Sequence, residues 1–98
     1  MALLSSSEIA QRLGELSGWT QAAGAIRKEY QFPDFVGAIG FVVRVALLAQ
    51  RANHHPDIEV HWNRVVLALW THSEGGLTER DFKLAAQIDR LEGPPHSS

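Results

Sequence analysis

The sequence contains no cysteine, and this absence excludes disulfide bonds and thiolate metal sites. It also has no run of basic residues, and its formal net charge is −2 at pH 7. Nucleic acid and anionic membrane surfaces are therefore poor candidates for its main partners. A chain without cysteine is compatible with a reducing compartment, and we expect a cytoplasmic protein.

Long apolar segments are also missing. The longest, FVGAIGFVVRVALLA, has 15 residues and includes Arg44, whereas a membrane-spanning helix needs about 20 residues. The N-terminal MALLSSSE has neither a charged first part nor a long apolar core, so it does not predict a signal peptide. We therefore expect the apolar segment to form a buried helix of a soluble protein.

Three segments carry the start signals and apolar spacing of helices. Ser5 with Glu8, and Thr78 with Asp81, have the spacing of a capping box. Asp34 follows a proline and is the expected N-cap of the central helix. The expected helix ends are Gly18, about Asn53 and Gly93-Pro94-Pro95.

Four segments predict strands. The turn signal Ala23-Gly24 separates the first two strands, and a turn at Asn63-Arg64 is expected to separate IEVHW from the apolar VVLALW. In the second strand an apolar face is interrupted by Lys28. The order α-β-β-α-β-β-α predicts an α+β fold, in which a four-stranded antiparallel sheet has three helices packed on one face. Residues 1–98 are expected to form one domain, with a frayed tail over 93–98.

The central helix is apolar on nearly every face. Its only weak stripe consists of Gly37, Gly40, Arg44 and Arg51. A helix of this kind needs cover from the sheet and from a second surface. Since a domain of this size buries limited surface alone, we expect the second cover to be another subunit.

Four of the five histidines lie between residues 54 and 72. In the strand IEVHW, His61 should face away from Val60 and Trp62, so we expect it to be exposed and without function. His54 and His55 instead lie where a helix breaks, and His72 lies just beyond an apolar strand. Functional side chains are often found at such ends of elements.

Two kinds of chemistry suit these histidines. A metal site from His54, His72 and a carboxylate is one alternative, although His54 and His55 should point to opposite sides and could not share an ion. Acid–base catalysis fits better, because imidazole and imidazolium are both populated near neutral pH. The absence of cysteine and of a nucleophile-elbow serine also favours proton transfer over covalent catalysis.

A spaced pattern of residues extends this interpretation. HHP at 54–56 is followed by Trp62 after five residues, by His72 after nine more and by Asp81 after eight more. This pattern resembles the signature of the pterin-4a-carbinolamine dehydratase family. The segments DFVGAIGFVVRVALLAQ and LTERDFKLAAQID are similar to the family's central and last helices, and the likeness covers about residues 16–91.

The resemblance implies dehydration of 4a-hydroxytetrahydrobiopterin, or a related 4a-hydroxytetrahydropterin, to the quinonoid dihydropterin. This reaction recycles the cofactor of aromatic amino-acid hydroxylases and needs neither a metal nor a redox cofactor. His54 and His72 would be the acid–base pair, and His55 would join them in the catalytic group while orienting the pterin with Pro56. The implied substrate-binding residues are His54, His55, Pro56, Thr71, His72, Ser73 and Glu74.

Three further residues have an implied supporting role. Gln50 stands where the family usually has a charged residue, and its amide can hydrogen-bond an imidazole without carrying charge. Asp81 could serve the site or only cap its helix, and Trp62 could stack on substrate or only pack. The resemblance also implies a homo-oligomer, either a dimer or a dimer of dimers. Animal members also serve as dimerisation cofactors of a transcription factor, so a non-catalytic interaction module is the alternative function.

Overall fold

The computed structural model of the chain describes residues 2–92, and the tail expected over 93–98 lies outside the described residues. The predicted order α-β-β-α-β-β-α and the α+β fold are confirmed. The helices are α1 (Ser6–Gly14), α2 (Phe35–Ala52) and α3 (Glu79–Glu92), and the strands are β1 (Thr20–Ala22), β2 (Ala25–Gln31), β3 (Asp57–His61) and β4 (Arg64–Leu69). A short 3₁₀ turn, His72–Glu74, lies between β4 and α3.

The four strands form one antiparallel sheet in the order β1-β2-β4-β3. The apolar segment VVLALW forms an inner strand, since β4 lies between β2 and β3. The core lies between one face of the sheet and the three helices α1, α2 and α3, which all contribute buried side chains to it. These buried residues are Ile26, Tyr30, Val65, Leu67 and Leu69 from the sheet, and Ile9, Ala38, Phe41, Val45, Phe82, Leu84, Ala85 and Ile88 from the helices.

A polar contact explains the lysine that interrupts the apolar face of β2. The Lys28 ammonium lies 2.9 Å from a carboxylate oxygen of Asp89 on α3. The same carboxylate accepts hydrogen bonds from the Tyr30 hydroxyl at 2.5 Å and from the Trp19 indole at 3.1 Å. Because a charge that is partly removed from water needs a partner and hydrogen bonds, this cluster lets Lys28 occupy the core face and ties α3 to β2.

The first helix is shorter than predicted. Its capping box is present, since the Ser5 side chain and the Glu8 side chain each accept a hydrogen bond from the other residue's backbone. However, α1 ends at Gly14, where the amide of Glu15 turns back to the carbonyls of Arg12 and Leu13, and not at Gly18. Gly18 instead has a left-handed backbone (φ +82°) in the loop that leads to β1.

The turn between β3 and β4 lies one residue earlier than predicted. His61 pairs with Arg64, so the two-residue loop is Trp62–Asn63 and not Asn63–Arg64. The Asn63 side chain donates to the carbonyl of Phe32 at 2.9 Å, which anchors the loop in this position. Trp62 has a left-handed backbone (φ +55°) and is 68% exposed, so it does not continue the inward face of β3 as the alternation indicated.

Within one chain only one face of the central helix is covered, and cover of the opposite face by another subunit stays a prediction. Its core face consists of Ala38, Phe41, Val45 and Ala49. The opposite face exposes Phe35, Val36, Ile39, Val43 and Leu47. By length and composition this 18-residue helix, with mean hydropathy 1.6, could cross a membrane, but core helices of soluble proteins pass the same test.

Candidate functional site

The segment that carries the paired histidines begins where α2 ends. Asn53 caps the helix in the left-handed conformation (φ +51°), a conformation that asparagine tolerates better than most residues. The amide of His54 then donates to the carbonyl of Ala49 at 3.1 Å. This cap directs His54 back toward α3, and Pro56 favours an extended chain that leads into β3.

The central contact of the site joins His54 to Asp81. The Nε2 atom of His54 lies 2.6 Å from Oδ1 of Asp81, although 27 residues separate the two in sequence. The His54 residue is 7% exposed and Asp81 is fully buried. Since a buried carboxylate must be hydrogen-bonded, Asp81 holds the imidazole in a fixed orientation.

Two threonines complete the surroundings of the carboxylate. The second oxygen of Asp81 accepts hydrogen bonds from the Thr71 hydroxyl and from the Thr78 amide, each at 2.9 Å. Thr71 gives its only hydroxyl proton to Asp81, so the Thr78 hydroxyl, at 2.8 Å, donates to Thr71. All three residues are buried, so this network joins the end of β4 to the start of α3 behind His54.

Asp81 makes the capping contact that the sequence predicted and, in addition, the contact with His54, which the sequence did not predict. Its carboxylate accepts from the N-cap amide of Thr78, as a capping box requires. The reciprocal bond differs, because the Thr78 hydroxyl accepts from the amide of Arg80 at 3.3 Å and not from that of Asp81. The same carboxylate also binds His54, so helix capping and the histidine contact are combined in one side chain.

The carboxylate also determines which ring atom of His54 is available for chemistry. An ionised Asp81 can only accept, so Nε2 of His54 carries the hydrogen in their contact. No residue within 2–91 hydrogen-bonds the other ring nitrogen, Nδ1. We therefore treat Nδ1 as the atom of His54 that can exchange a proton with a bound molecule.

The second histidine is presented by the segment after β4. Thr71 pairs with Gly76 in an isolated bridge, which closes the loop around the 3₁₀ turn His72–Glu74. The His72 imidazole stacks on the indole of Trp70, with ring centroids 3.9 Å apart and planes 28° from parallel. This stacking holds His72 against one wall of the site.

A pocket of about 230 Å³ brings these groups together. Five of the predicted substrate-binding residues line it: His54, His55, Thr71, His72 and Ser73. Pro56 and Glu74 are not among its lining residues. Three lining residues were not predicted from the sequence: Asn53, Trp70 and Arg80.

Arg80 connects two sides of this pocket. One Nη atom of its guanidinium donates to the backbone carbonyl of Asn53 at 2.6 Å. The bond ties the first turn of α3 to the end of α2, immediately before the paired histidines. The sequence shows only that a basic residue precedes Asp81. Whether the Arg80 side chain points into the pocket depends on how α2 and α3 pack.

The remaining predicted residues lie around the pocket or away from it. Oε1 of Gln50 lies 3.1 Å from Nε2 of His55, so the glutamine contacts the second histidine of the pair. His61 is exposed, as predicted, and contacts Glu59 at 3.1 Å. Trp62 is not a lining residue of the pocket, and within one chain it neither packs in the core nor faces the histidines.

The geometry gives no support to the alternative of a metal site. Across residues 2–92, no group of three or more His, Cys, Asp and Glu side chains is arranged to hold a metal ion. The Nε2 atom of His54 is also already hydrogen-bonded to Asp81, so these two side chains do not leave that nitrogen open to a metal ion.

Comparison with known proteins identifies the family. The family model described as Pterin 4 alpha carbinolamine dehydratase matches residues 2–91. A protein of Roseiflexus castenholzii is 57% identical over 90 residues, covering 92% of this chain and 97% of its own. A protein of Sulfolobus acidocaldarius is 44% identical over 89 residues, covering 91% and 98%. Both are named provisionally as pterin-4-alpha-carbinolamine dehydratases.

Two solved structures share the fold. The structure titled a transcriptional coactivator/pterin dehydratase from Brucella melitensis has a TM-score of 0.89 and 39% identity, and the match covers 93% of this chain and 99% of that one. A pterin dehydratase-like protein described as a RuBisCO assembly factor has a TM-score of 0.67 at 24% identity, covering 78% and 90%, and shows the fold alone. With the family model spanning nearly the whole described chain, the chain belongs to the pterin 4 alpha carbinolamine dehydratase family.

Proposed function

We propose that this protein is a 4a-hydroxytetrahydropterin dehydratase, acting on 4a-hydroxytetrahydrobiopterin or a close relative. One observation carries the proposal: a single pocket contains His72 and His54, and a buried carboxylate holds His54. Two imidazoles in one pocket can supply both proton transfers that dehydration requires. The product would serve to regenerate the cofactor of an aromatic amino-acid hydroxylase.

The reaction removes a hydroxide equivalent from C4a and a proton from N5. In the proposed mechanism one histidine, as imidazolium, protonates the 4a-hydroxyl while the C4a–O bond breaks. The other histidine, as neutral imidazole, takes the proton from N5, and the electron pair of that N–H bond forms the C4a=N5 double bond. The products are water and the quinonoid dihydropterin, and the two histidines exchange protonation states, which solvent then restores.

The two histidines have different support and therefore different proposed roles. His54 presents Nδ1 while Asp81 holds Nε2, an arrangement that stabilises both the orientation and the developing positive charge of an imidazolium. His72 is held by stacking on Trp70 and so serves as the second acid–base group. His55, held by Gln50, is proposed to orient the heterocycle.

A direct turnover assay tests this proposal. The carbinolamine is generated in the cuvette by a pterin-dependent hydroxylase, and formation of the quinonoid product is followed by absorbance with and without this protein. We expect the protein to accelerate water loss well above the spontaneous rate. If product forms at the spontaneous rate over a range of protein concentrations, the catalytic function is wrong and the alternative of an interaction module takes its place.

Metal removal should leave this activity unchanged. The proposed steps use only imidazole protons, so treatment with a strong chelator followed by buffer exchange should not alter the turnover rate. The measurement is the rate before and after chelation, together with the metal content of the protein. A stoichiometric metal whose removal abolishes turnover would contradict the acid–base assignment.

We also propose that the protein is a homo-oligomer. The exposed face of α2 is a contiguous apolar surface of the kind that marks protein–protein contacts in soluble proteins. A second copy of the chain is the proposed occupant, in a dimer or a dimer of dimers. A cytoplasmic location stays a prediction, as does the absence of nucleic acid and membrane partners.

The assembly proposal predicts the effect of a charge in this face. Val43 is 52% exposed in the single chain, so Val43→Glu should leave the monomer folded but place a carboxylate in the subunit contact, where burial without a partner is costly. Sedimentation should show a shift toward smaller species. Gln21→Glu, on the exposed strand β1, adds the same charge elsewhere and should not change the mass. A wild-type protein that is monomeric at micromolar concentration would contradict the proposal.

The alternative function, a non-catalytic interaction module, is favoured by the same exposed face of α2. The relative from Brucella melitensis carries both descriptions in its title, transcriptional coactivator and pterin dehydratase. In this alternative the apolar face would bind a different protein. The turnover assay separates the two functions, because only a dehydratase accelerates water loss.

A further inference from the structure

A second pocket, of about 310 Å³, adjoins the first and shares His54 and Arg80 with it. This volume lies within the ~300–1,000 Å³ range of small-molecule sites. Its lining includes Leu48 from α2 and Leu84 from α3, which give it an apolar part. Three basic residues also line it: Arg51, Arg80 and Lys83, here called the pocket cations. None of its lining residues is acidic.

The pocket cations come from two helices that pack against each other. Arg80 and Lys83 are three positions apart on α3, so their side chains lie on one helix face. Gln87, four positions further on, adds an amide to the same face. Arg51 reaches the pocket from the last turn of α2. Like charges brought together in this way repel each other, and an anion between them would offset the repulsion.

Three acidic residues of α3, Glu79, Asp81 and Asp89, are bound by other groups and do not neutralise the pocket cations. Glu79 is bound by the guanidinium of Arg12, with Nε 3.0 Å from Oε1, and these hydrogen bonds lower the pKa of the Glu79 carboxyl below its usual value. Asp81 is buried against His54, and Asp89 binds the lysine of β2. Among the side chains of residues 2–91, no carboxylate forms an ion pair with the pocket cations.

We propose that this second pocket is an oxyanion site that takes a phosphate or carboxylate group. Guanidinium groups bind both by paired hydrogen bonds, and Arg80 keeps further N–H donors beyond the one that it gives to Asn53. Because the two pockets share His54 and Arg80, the anion can be the charged side chain of a pterin whose ring occupies the first pocket. The statement that a pterin ring occupies the first pocket rests on the proposed function, whereas the oxyanion site itself does not.

The test compares matched ligands and matched variants. The ligands are 6-hydroxymethyl-7,8-dihydropterin, its phosphate ester and inorganic phosphate, and their affinities are measured by calorimetry on the full chain. The test variant is Arg51→Gln/Lys83→Gln, which leaves the first pocket unaltered. The control, Arg27→Gln/Arg90→Gln, removes the same charge from exposed residues that line neither pocket. Circular dichroism melts establish that both double variants are folded.

We expect the wild type and the control to bind the ester at least about tenfold more tightly than the alcohol, since hydrogen bonds to charged groups are the strong ones. The test variant should lose this advantage and keep its affinity for the alcohol. If the ester has no advantage but inorganic phosphate binds the wild type and not the test variant, the oxyanion site stands and its ligand is a free anion. If neither the ester nor phosphate depends on the pocket cations, the inference is overturned.

The dehydratase assay with a neutral side chain, run in parallel, separates this inference from the proposed function. Turnover without any dependence of anion binding on the pocket cations would refute the oxyanion site alone. Anion binding that depends on these cations, in a protein without turnover, would refute the dehydratase function alone.

Discussion

Substitution of His54 by alanine is expected to lower the turnover rate by about 100- to 10,000-fold, the usual cost of losing a general acid–base group. The reason is the position of its ring, which lies in the pocket with Nε2 held by Asp81 and Nδ1 without a protein partner in the described chain. Turnover should fall more than the affinity for a pterin, because the lost group acts mainly in the proton transfer.

The substitution His54→Gln distinguishes loss of the acid–base group from loss of stability as the cause of inactivity. Alanine at position 54 leaves the buried carboxylate of Asp81 short of one hydrogen bond, which itself costs stability. His54→Gln can still donate an amide N–H to Asp81 but cannot exchange a proton. We therefore expect His54→Gln to melt near the wild type and to be as inactive as His54→Ala. A glutamine variant that kept a tenth or more of the activity would contradict the acid–base role.

The other histidines should follow a defined order. His72→Ala should lower turnover less severely than His54→Ala if His54 can serve the main stereoisomer of the substrate. His55→Ala should mainly weaken binding, since this residue is held by Gln50 beside the pocket. His61→Ala is the matched control, because His61 is exposed and contacts only Glu59. If His61→Ala proved as damaging as His54→Ala, the site would have to be placed on the other face of the sheet.

The second large effect is expected from Asp81→Asn. The Asp81 position must still present an oxygen to the Thr78 amide and the Thr71 hydroxyl, so the asparagine amide group would face His54. An amide N–H opposite Nε2 forces that atom to become an acceptor, and the hydrogen moves to Nδ1. Turnover should fall by about 100-fold or more; the same change behind the histidine of a serine protease costs about 10⁴-fold.

Nitrogen NMR of His54 provides the readout that a purely structural role would not change. The spectrum should show the hydrogen on Nε2 in the wild type and on Nδ1 in Asp81→Asn. Asp89→Asn is the matched control, since Asp89 is also a hydrogen-bonded aspartate of α3 but contacts Lys28, Tyr30 and Trp19. It should lower the melting temperature and leave turnover per folded molecule unchanged. A changed tautomer with unchanged turnover in Asp81→Asn would refute the proposed role of Asp81.

Local signals explain why the fold could be predicted from the sequence. Ser5 with Glu8 and Asp34 with its helix form contacts within one turn, so their spacing alone indicates where helices begin. The position of one turn was predicted wrongly because a distant contact determines it. The turn at Trp62 is one residue earlier than alternation indicated, because Asn63 reaches the carbonyl of Phe32, 31 residues away.

The sequence indicated most of the residues that line the candidate pocket, but it did not indicate which side chains contact each other there. The histidines were found by their clustering and by the family's spacing, yet their partners come from other elements. The contact of His54 with Asp81 and the bond from Arg80 to the end of α2 depend on how α3 packs, and the stacking of His72 on Trp70 depends on the turn that follows β4. No periodicity in the sequence encodes these contacts, because each joins side chains from different elements or follows a turn that ends a strand.

The most direct test of the central claim is turnover by the double variant His54→Ala/His72→Ala. If these two histidines are the acid–base pair, the variant should form the quinonoid dihydropterin no faster than the spontaneous reaction. It should still bind 7,8-dihydropterin within about tenfold of the wild-type affinity, because His55, Arg80 and the pocket walls remain. A folded double variant that kept more than a tenth of the wild-type rate would contradict the account.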